Sequence, residues 1–372
     1  MNTSRTITIN QPSRLEVGED IITQVGNWIG NKSVLLITAK PIANHASRLG
    51  IKGSLTVFEN TPAEPNELAL NAIIDIAAEI RPDVIIGLGG GSVMDLAKLA
   101  AVLWDKKQTL EEVIGPNKVH KKLSTLIQIP TTAGTGSESG IRALVTNSKT
   151  SAKMAVESEH MRADIAILDP TLTYSVPSAV TAATGVDAMA HCVEAFTNIR
   201  AHNMIDDYAR MGMKLVGQYL KRAVKDGKDT EAREGMMLAS YYGGICLGPV
   251  NTAAGHALAY PLSTQLHLPH GLANAIIFPR VLAFNTDAKP EKTAEILAAL
   301  GLPQSNDPNI VLQTTYDFCT DLGIEMRLSK HGALAESLSN YADEAYAIRR
   351  LMDNNPKIMT PDDILGIYKA AF

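Results

Sequence analysis

The sequence has few cysteines, few aromatic residues and little net charge. Its three cysteines among 372 residues, Cys192, Cys246 and Cys319, do not form a disulfide framework and suit a reducing compartment, so we expect a cytoplasmic protein. The formal net charge is −5, and no stretch concentrates basic residues. A nucleic-acid partner is therefore not expected.

Long hydrophobic runs are also missing. The longest, residues 84–88 and 96–104, are too short or too interrupted to span a bilayer. The N-terminal segment MNTSRTITINQPSR lacks the apolar core of a signal peptide, and we expect no membrane partner. A content of 45% hydrophobic and 20% charged residues is typical of a globular protein, and the length predicts two domains, each with its own core.

The first half of the chain alternates between strand and helix patterns. Apolar runs typical of buried parallel strands occur at residues 33–38, 55–58, 83–88 and 124–129. Helical patterns separate them, among others at residues 20–30 and 67–80. This order predicts an α/β fold with right-handed βαβ units in a doubly wound, mostly parallel sheet. Residues 6–10 and 15–17 are predicted to form an additional hairpin.

After Asp169-Pro170 the pattern becomes helical almost throughout. We therefore predict an α/β nucleotide-binding domain over residues 1–175 and an all-helical metal-binding and substrate domain over residues 176–372. Glycine and proline are expected to break the helices of the second domain at Gly248-Pro249, Pro261 and Pro279.

The helical half contains a candidate metal site. Asp187 and His191 stand four residues apart and share one face of a helix, while His256 and His270 each adjoin a glycine in an apolar setting. One carboxylate and up to three imidazoles suit a divalent metal such as iron, zinc or cobalt. The alternative is an ordinary surface Asp–His pair, but the two later histidines favour a metal.

Two glycine- and hydroxyl-rich loops follow strands of the α/β half. The first, GLGGGS (87–92), opens a helix whose N-terminus offers free N–H groups to a pyrophosphate, although it is not the GxGxxG fingerprint. The alternative for Asp95 and Lys98, on the next turns, is solvated surface. The second loop, PTTAGTGSE (130–138), is either a ligand loop or a locally bonded polar turn. Together they predict a ligand crevice at the carboxyl edge of the sheet.

Four motifs occur in the order typical of one family: GGGSVMDLAK (89–98), PTTAGTGSE (130–138), ATGVDAMAHCVEA (183–195) and GHALAYPLSTQLHLPHGLANAI (255–276). Over nearly its whole length the chain resembles the iron-containing (group III) metal-dependent alcohol dehydrogenases, a family that includes lactaldehyde reductase. The resemblance implies a dinucleotide-binding domain, a helical C-terminal domain and a homodimer. It also implies one divalent metal, Fe²⁺ or else Zn²⁺, bound by Asp187, His191, His256 and His270.

The resemblance further implies which residues bind NAD or NADP. It assigns the pyrophosphate to Gly89, Gly90, Gly91 and Ser92, and the rest of the cofactor site to Asp95, Thr131, Thr132, Thr135 and, near the ribose, Lys153.

The chain departs from the family at the end of the first sheet strand. An acidic residue that can bond the ribose hydroxyls is frequent there, whereas this chain has Ala39 followed by Lys40. Alanine leaves room for the 2′-phosphate of NADP, and Lys40 adds positive charge. We therefore hypothesise that Ala39 permits NADP binding. The alternative is that Lys40 points to solvent and that cofactor choice is decided elsewhere.

A second departure concerns proton transfer. Several relatives have a histidine four residues after the third metal ligand, and this chain has Tyr260 there. A phenol with a pKa of about 10 is a poor base at neutral pH, but it can belong to a proton relay. His267, three residues before His270, is the other catalytic candidate, or else an ordinary turn histidine.

These residues together predict a metal-dependent NAD(P) alcohol dehydrogenase, or aldehyde and ketone reductase, acting on small CH–OH substrates. The metal would act as a Lewis acid on the substrate oxygen while hydride moves to or from the nicotinamide. The alternatives are a polyol oxidoreductase resembling glycerol dehydrogenase, a lyase resembling dehydroquinate synthase, and a non-catalytic metal- or nucleotide-binding protein. The lyase would need basic motifs that the C-terminal half does not show.

Overall fold

The computed structural model describes residues 5–148 and 153–372. This part of the chain forms two compact units. One is an α/β unit, mainly Ile9–Thr132 and Gly136–Ser175, and the other is a helical unit, mainly Val176–Phe372. The prediction of a parallel-sheet α/β fold followed by a helical C-terminal part is confirmed.

The α/β unit is built on one large parallel sheet. Its strands in chain order are β1 (Arg14–Val17), β2 (Val34–Ile37), β3 (Leu55–Phe58), β4 (Val84–Gly89), β6 (Thr125–Pro130) and β9 (Ile165–Leu168), and their spatial order is β1-β9-β6-β4-β2-β3. A small second sheet contains β5 (Gly115–Pro116), β7 (Arg142–Thr146) and β8 (Lys153–Glu157). In it β7 and β8 pair in antiparallel orientation.

Both faces of the large sheet are covered, as the continuous apolar strands predict. Leu35 and Ile85 belong to one buried apolar cluster, with residues of the helices on that side, whereas Leu36 and Ile86 belong to the cluster on the opposite face. The helices of this unit are α1 (Val25–Ile29), α2 (Glu67–Ile80), α3 (Gly91–Leu103) and α4 (Leu110–Val113).

The central strands bring the predicted cofactor segments to one edge of the sheet. Ile37 of β2 pairs with Gly87 of β4, and Gly89 of β4 pairs with Pro130 of β6. The segments that follow these strands begin at Thr38, Gly90 and Thr131, and so leave the sheet at its carboxyl edge. In parallel sheets ligands bind at this edge.

The predicted N-terminal hairpin is wrong. Residues 6–10 contain no strand, and β1 pairs in parallel with β9, with Arg14 opposite Ile165. The alternation of residues 6–10 is a local signal, whereas the partner of β1 lies about 150 residues later in the chain. Local periodicity carries no information about such a distant pairing.

The helical unit contains ten α-helices within the described residues: α5 (Ser178–Thr197), α6 (Asn203–Lys225), α7 (Thr230–Leu247), α8 (Ala254–Gln265), α9 (His270–Asn285), α10 (Pro290–Ala299), α11 (Pro308–Asp321), α12 (Leu338–Ala347), α13 (Arg349–Met352) and α14 (Pro361–Ala371). The prediction that Pro261 and Pro279 break helices is wrong, because they lie inside α8 and α9. A proline removes one N–H bond from a helix, but both prolines are buried in the packing of this unit. In the described residues no helix is long and apolar enough to cross a membrane.

Candidate active site

The centre of the candidate site is a buried carboxylate on α5. Asp187 is only 2% exposed, and His191, one turn later on the same helix, is 5% exposed. His191 Nε2 lies 4.0 Å from Asp187 Oδ1. The predicted i, i+4 pair therefore faces inward, and the alternative of a surface pair is wrong.

Two more imidazoles approach the same carboxylate oxygen. His256 is near the start of α8 and His270 is the first residue of α9. Their Nε2 atoms lie 3.6 Å and 3.7 Å from Asp187 Oδ1. One ligand atom each from Asp187, His256 and His270 lie within 4.8 Å of one another, the spacing of a metal site. His191 lies outside this group of three, and its ring stacks on that of His256 at 4.7 Å between centroids.

The chemistry of this donor set fits a divalent metal. His256 Nε2 is buried and has no hydrogen-bond partner within the described residues. Burial lowers the pKa of His191 to about 4, so this imidazole is neutral, as a metal ligand must be. Burial opposes ionisation of Asp187, but the facing imidazoles outweigh it and hold the pKa of Asp187 well below its usual value. Burial lowers the pKa of His256, but the facing carboxylates of Glu194 and Asp187 outweigh it and raise that pKa to about 10, so a metal binding there displaces a proton. A carboxylate and imidazoles suit iron and zinc alike.

Sequence reasoning missed two residues that contact these ligands. Asn274, one turn after His270 on α9, donates through Nδ2 to Asp187 Oδ1 at 2.6 Å and lies 3.2 Å from His270 Nε2. Glu194 on α5 contacts His256 Nδ1 at 2.6 Å. Both belong to quoted motifs, and their i+4 and i+7 spacing from His270 and Asp187 was the available signal. Without the approach of α8 and α9 to α5, that spacing indicates only a shared helix face.

The two proton-relay candidates lie in different surroundings. The Tyr260 ring stacks on the His270 ring with 5.7 Å between centroids, and its hydroxyl accepts from Arg350 at 3.3 Å. His267 is exposed in the turn between α8 and α9, where its φ is +55°. The catalytic role of each stays a prediction. Cys192 is buried, and burial raises the pKa of its thiol to about 12, as expected for a packing residue.

The first glycine-rich loop joins β4 to α3 as predicted. Gly90 precedes the first turn of α3, so the free N–H groups of that helix start at the carboxyl edge of the sheet. A Cβ on Gly89 would meet the Val93 side chain at 2.5 Å, which explains why this position needs glycine. The Ser92 hydroxyl donates to the carbonyl of Ala63. The assignment of these residues and Gly91 to a pyrophosphate stays a prediction.

The other predicted cofactor residues differ in exposure. Thr131 is buried and its N–H donates to Gly89 O at 3.0 Å. Thr132 is half-buried, with its Oγ1 within 3.4 Å of the position that a Cβ on Gly90 would take. Lys153, on β8, pairs with Glu64. Ala39 and Thr135, which were also predicted to line the cofactor site, are half-buried. Lys40, next to Ala39, is exposed.

Asp95 and Lys98 are not the solvated surface residues that the alternative proposed. Lys98 is 1% exposed, and its ammonium donates to Ser137 Oγ and to the carbonyl of Arg142, both at 2.8 Å. Asp95 accepts from Ser137 Oγ at 2.6 Å and from the Leu144 N–H at 2.9 Å. These bonds connect the start of α3 to the second loop and to β7. They therefore fix the shape of both predicted cofactor loops.

Two family models and several known proteins match this chain. The model of the iron-containing alcohol dehydrogenases matches residues 12–170, and the model of the C-terminal part of the Fe-containing alcohol dehydrogenase family matches residues 181–372. A sulfoacetaldehyde reductase of Bilophila wadsworthia is 36% identical over 369 residues, 95% of either chain.

Solved structures agree with the family match. A 1,3-propanediol oxidoreductase superposes with a TM-score of 0.94 at 27% identity, covering 99% of this chain and 100% of the other. The sulfoacetaldehyde reductase of Bifidobacterium kashiwanohense, solved in complex with NAD⁺, has a TM-score of 0.90 at 27% identity and 99% coverage of each chain.

Proposed function

Because the chain belongs to the iron-containing alcohol dehydrogenase family, we propose that Asp187, His191, His256 and His270 hold the divalent metal of a nicotinamide-dependent alcohol dehydrogenase. The enzyme is an oxidoreductase that acts on CH–OH groups, and its substrates are small alcohols or aldehydes. The observation that carries the ligand assignment is the convergence of three imidazoles on one buried carboxylate oxygen.

The proposed chemistry divides between cofactors and protein. When bound, Fe²⁺ supplies Lewis acidity that stabilises charge on the substrate oxygen, and NAD(P) supplies or accepts the hydride. Asp187 contributes a permanent negative charge, oriented by the amide of Asn274. Tyr260, stacked on His270, offers a hydroxyl that can exchange a proton with the substrate oxygen. The N-terminus of α3, after Gly90, can bind the cofactor pyrophosphate.

The central experiment measures metal content and activity together. Protein stripped with a chelator and reloaded with Fe²⁺ or Zn²⁺ is assayed for NADH and NADPH oxidation with a panel of short aldehydes and ketones. We expect activity only after reloading. His191→Ala should lose both bound metal and activity, whereas His120→Ala, which changes an exposed histidine, should lose neither. A wild-type protein that binds metal but oxidises no NAD(P)H with any carbonyl compound would contradict the proposal.

The Arg350 side chain favours a narrower substrate class, short aldehydes that carry an anionic group. The Arg350 guanidinium lies 5.6 Å from the centre of the Tyr260 ring, which itself stacks on His270. A guanidinium at this place can pair with an anionic group on a short aldehyde, and a relative is named sulfoacetaldehyde reductase. In the same panel, we expect kcat/KM for sulfoacetaldehyde to exceed that for propionaldehyde. The reverse order would leave neutral alcohols and diols as the substrate class.

A cytoplasmic homodimer remains part of the proposal. The three cysteines are free and buried, as suits a reducing compartment. Strand β1 stands at the end of the sheet order and exposes more than a third of Leu15 and of Val17, so a second copy has a strand edge to pair with. The mass of the protein in solution tests the homodimer, and the mass of a monomer would contradict it.

A further inference from the structure

A buried carboxylate that the proposed function leaves unused lies next to the ligands. Glu194 is 6% exposed and stands three residues after His191 on α5. Its Oε1 lies 2.6 Å from His256 Nδ1. Its Oε2 accepts from the N–H of Ala253 at 2.5 Å and of His256 at 3.4 Å. A buried carboxylate with contacts this specific calls for an explanation beyond packing.

The contact with Nδ1 determines which nitrogen of His256 is available. Glu194 Oε2 already accepts from two backbone N–H groups, and Oε1 is the acceptor that faces the ring, so the hydrogen in this contact lies on His256 Nδ1. His256 Nε2 is then the ring nitrogen left for a metal, and it lies 3.6 Å from Asp187 Oδ1 without a hydrogen-bond partner among the described residues. A carboxylate behind a ligating histidine fixes the tautomer and the ring orientation in metal sites.

The backbone contacts position the whole start of α8. The first N–H groups of a helix have no partner within the helix, and Ala253, which precedes α8, provides no side-chain cap. Glu194 provides one from α5 by accepting from Ala253 and His256. The same carboxylate thus fixes both the backbone and the ring of His256.

The chain keeps space for this carboxylate. A Cβ on Gly255 would meet Glu194 Oε1 at 2.6 Å and its Cδ at 3.1 Å. Any side chain at this position would therefore push the carboxylate off His256. The approach of Glu194 therefore explains the glycine at this position, the second residue of α8.

We propose that Glu194 is a positioning residue for the metal centre: it holds His256 in the tautomer and orientation that present Nε2 to the metal. This proposal rests on the proposed function, because it requires a metal bound by His256. Glu194 itself need not touch the metal or the substrate. Its contribution is measured as metal affinity rather than as a catalytic step.

The test measures metal affinity of Glu194→Gln by competition with a chromophoric chelator. We expect affinity for Zn²⁺ and Co²⁺ to fall about 10- to 100-fold, with a shifted visible spectrum of the Co²⁺-loaded protein. The thermal midpoint of the metal-free variant should change little, because the glutamine oxygen can still accept from Ala253. Unchanged affinity and an unchanged Co²⁺ spectrum would overturn the proposal. So would a lowered midpoint of the metal-free form with affinity unaltered, since that is a purely structural role.

A second variant keeps the charge and moves it. Gly255→Ala should displace the Glu194 carboxylate and weaken metal binding in the same direction. Gly248→Ala is the matched control, since a Cβ there meets nothing within 4 Å and metal affinity should stay that of the wild type. If the wild type itself binds no metal, the proposed function fails. If it binds metal and both Glu194→Gln and Gly255→Ala bind equally tightly, only the positioning role fails.

Discussion

The buried carboxyl of Glu138 gives a prediction about stability and pH. Glu138 is 1% exposed, and within the described residues neither carboxyl oxygen has a hydrogen-bond partner. Burial raises the pKa of Glu138 to about 7, against the weaker opposing effects of its own backbone N–H and of the Lys98 ammonium. Replacing it by glutamine, with nearly the same shape, removes the ionisation and keeps the packing.

The direction in which stability changes with pH follows from the pKa of Glu138 in the folded protein and its ordinary pKa. The folded-state pKa of about 7 is above the ordinary value of 4.5, so between them the folded protein binds more protons than the unfolded chain, and stability falls as pH rises. The stability associated with the neutral carboxyl is complete below about pH 4.5 and is lost by about pH 7. Each pKa unit corresponds to about 1.4 kcal/mol, so ionised Glu138 costs roughly 3 kcal/mol at pH 8.

We therefore expect Glu138→Gln to be more stable than the wild type at pH 8, by roughly 3 kcal/mol, with the difference vanishing below about pH 4.5. Urea unfolding of both proteins across this range measures it. Glu79→Gln, which neutralises an exposed carboxylate of the same unit, should show no such pH-dependent gain. A Glu138→Gln variant that is less stable at pH 8 would refute the reasoning, because attraction between Glu138 and Lys98 would then outweigh the cost of burial.

Three further variants test the cofactor and proton-transfer hypotheses. Ala39→Asp should lower kcat/KM for NADPH about 10- to 100-fold and change that for NADH little, because the carboxylate repels the 2′-phosphate; equal losses with both cofactors would contradict this. Tyr260→Phe should lower kcat about 100-fold at neutral pH without changing metal content, since its ring stacks on His270 whereas His267 is exposed. If His267→Gln lowers kcat and Tyr260→Phe does not, the relay runs through His267.

Much of the fold could be predicted because its signals are local. The buried strands have continuous apolar runs, and the predicted helix at residues 67–80 coincides with α2. The pairing of β1 with β9 could not be predicted, because it depends on residues far apart in the chain. The helices that contain Pro261 and Pro279 were also missed, since tertiary packing there outweighs the local effect of proline.

The candidate site shows the same division. The i, i+4 spacing indicates that Asp187 and His191 share a face, and motif order indicates the later histidines. Glu194 and Asn274 look like ordinary helical polar residues until α8 and α9 are placed against α5. The burial of Lys98 could not be predicted either, because its hydroxyl partner comes from the second loop and its carbonyl partner from β7, about 40 residues later.

Helix α5 explains why the metal centre and the core of the helical unit depend on one another. From Gly185 to Thr197 every residue of α5 is buried, so each polar side chain there costs free energy unless it is paired. Asp187 is paired by Asn274, and Glu194 by His256 and the start of α8. The contacts that position the ligands are therefore the same contacts that allow a helix with these charges to be buried. Loss of any one of them should weaken metal binding and helix packing together, whereas loss of the Glu194 charge alone, with its hydrogen bonds largely kept, separates the two effects.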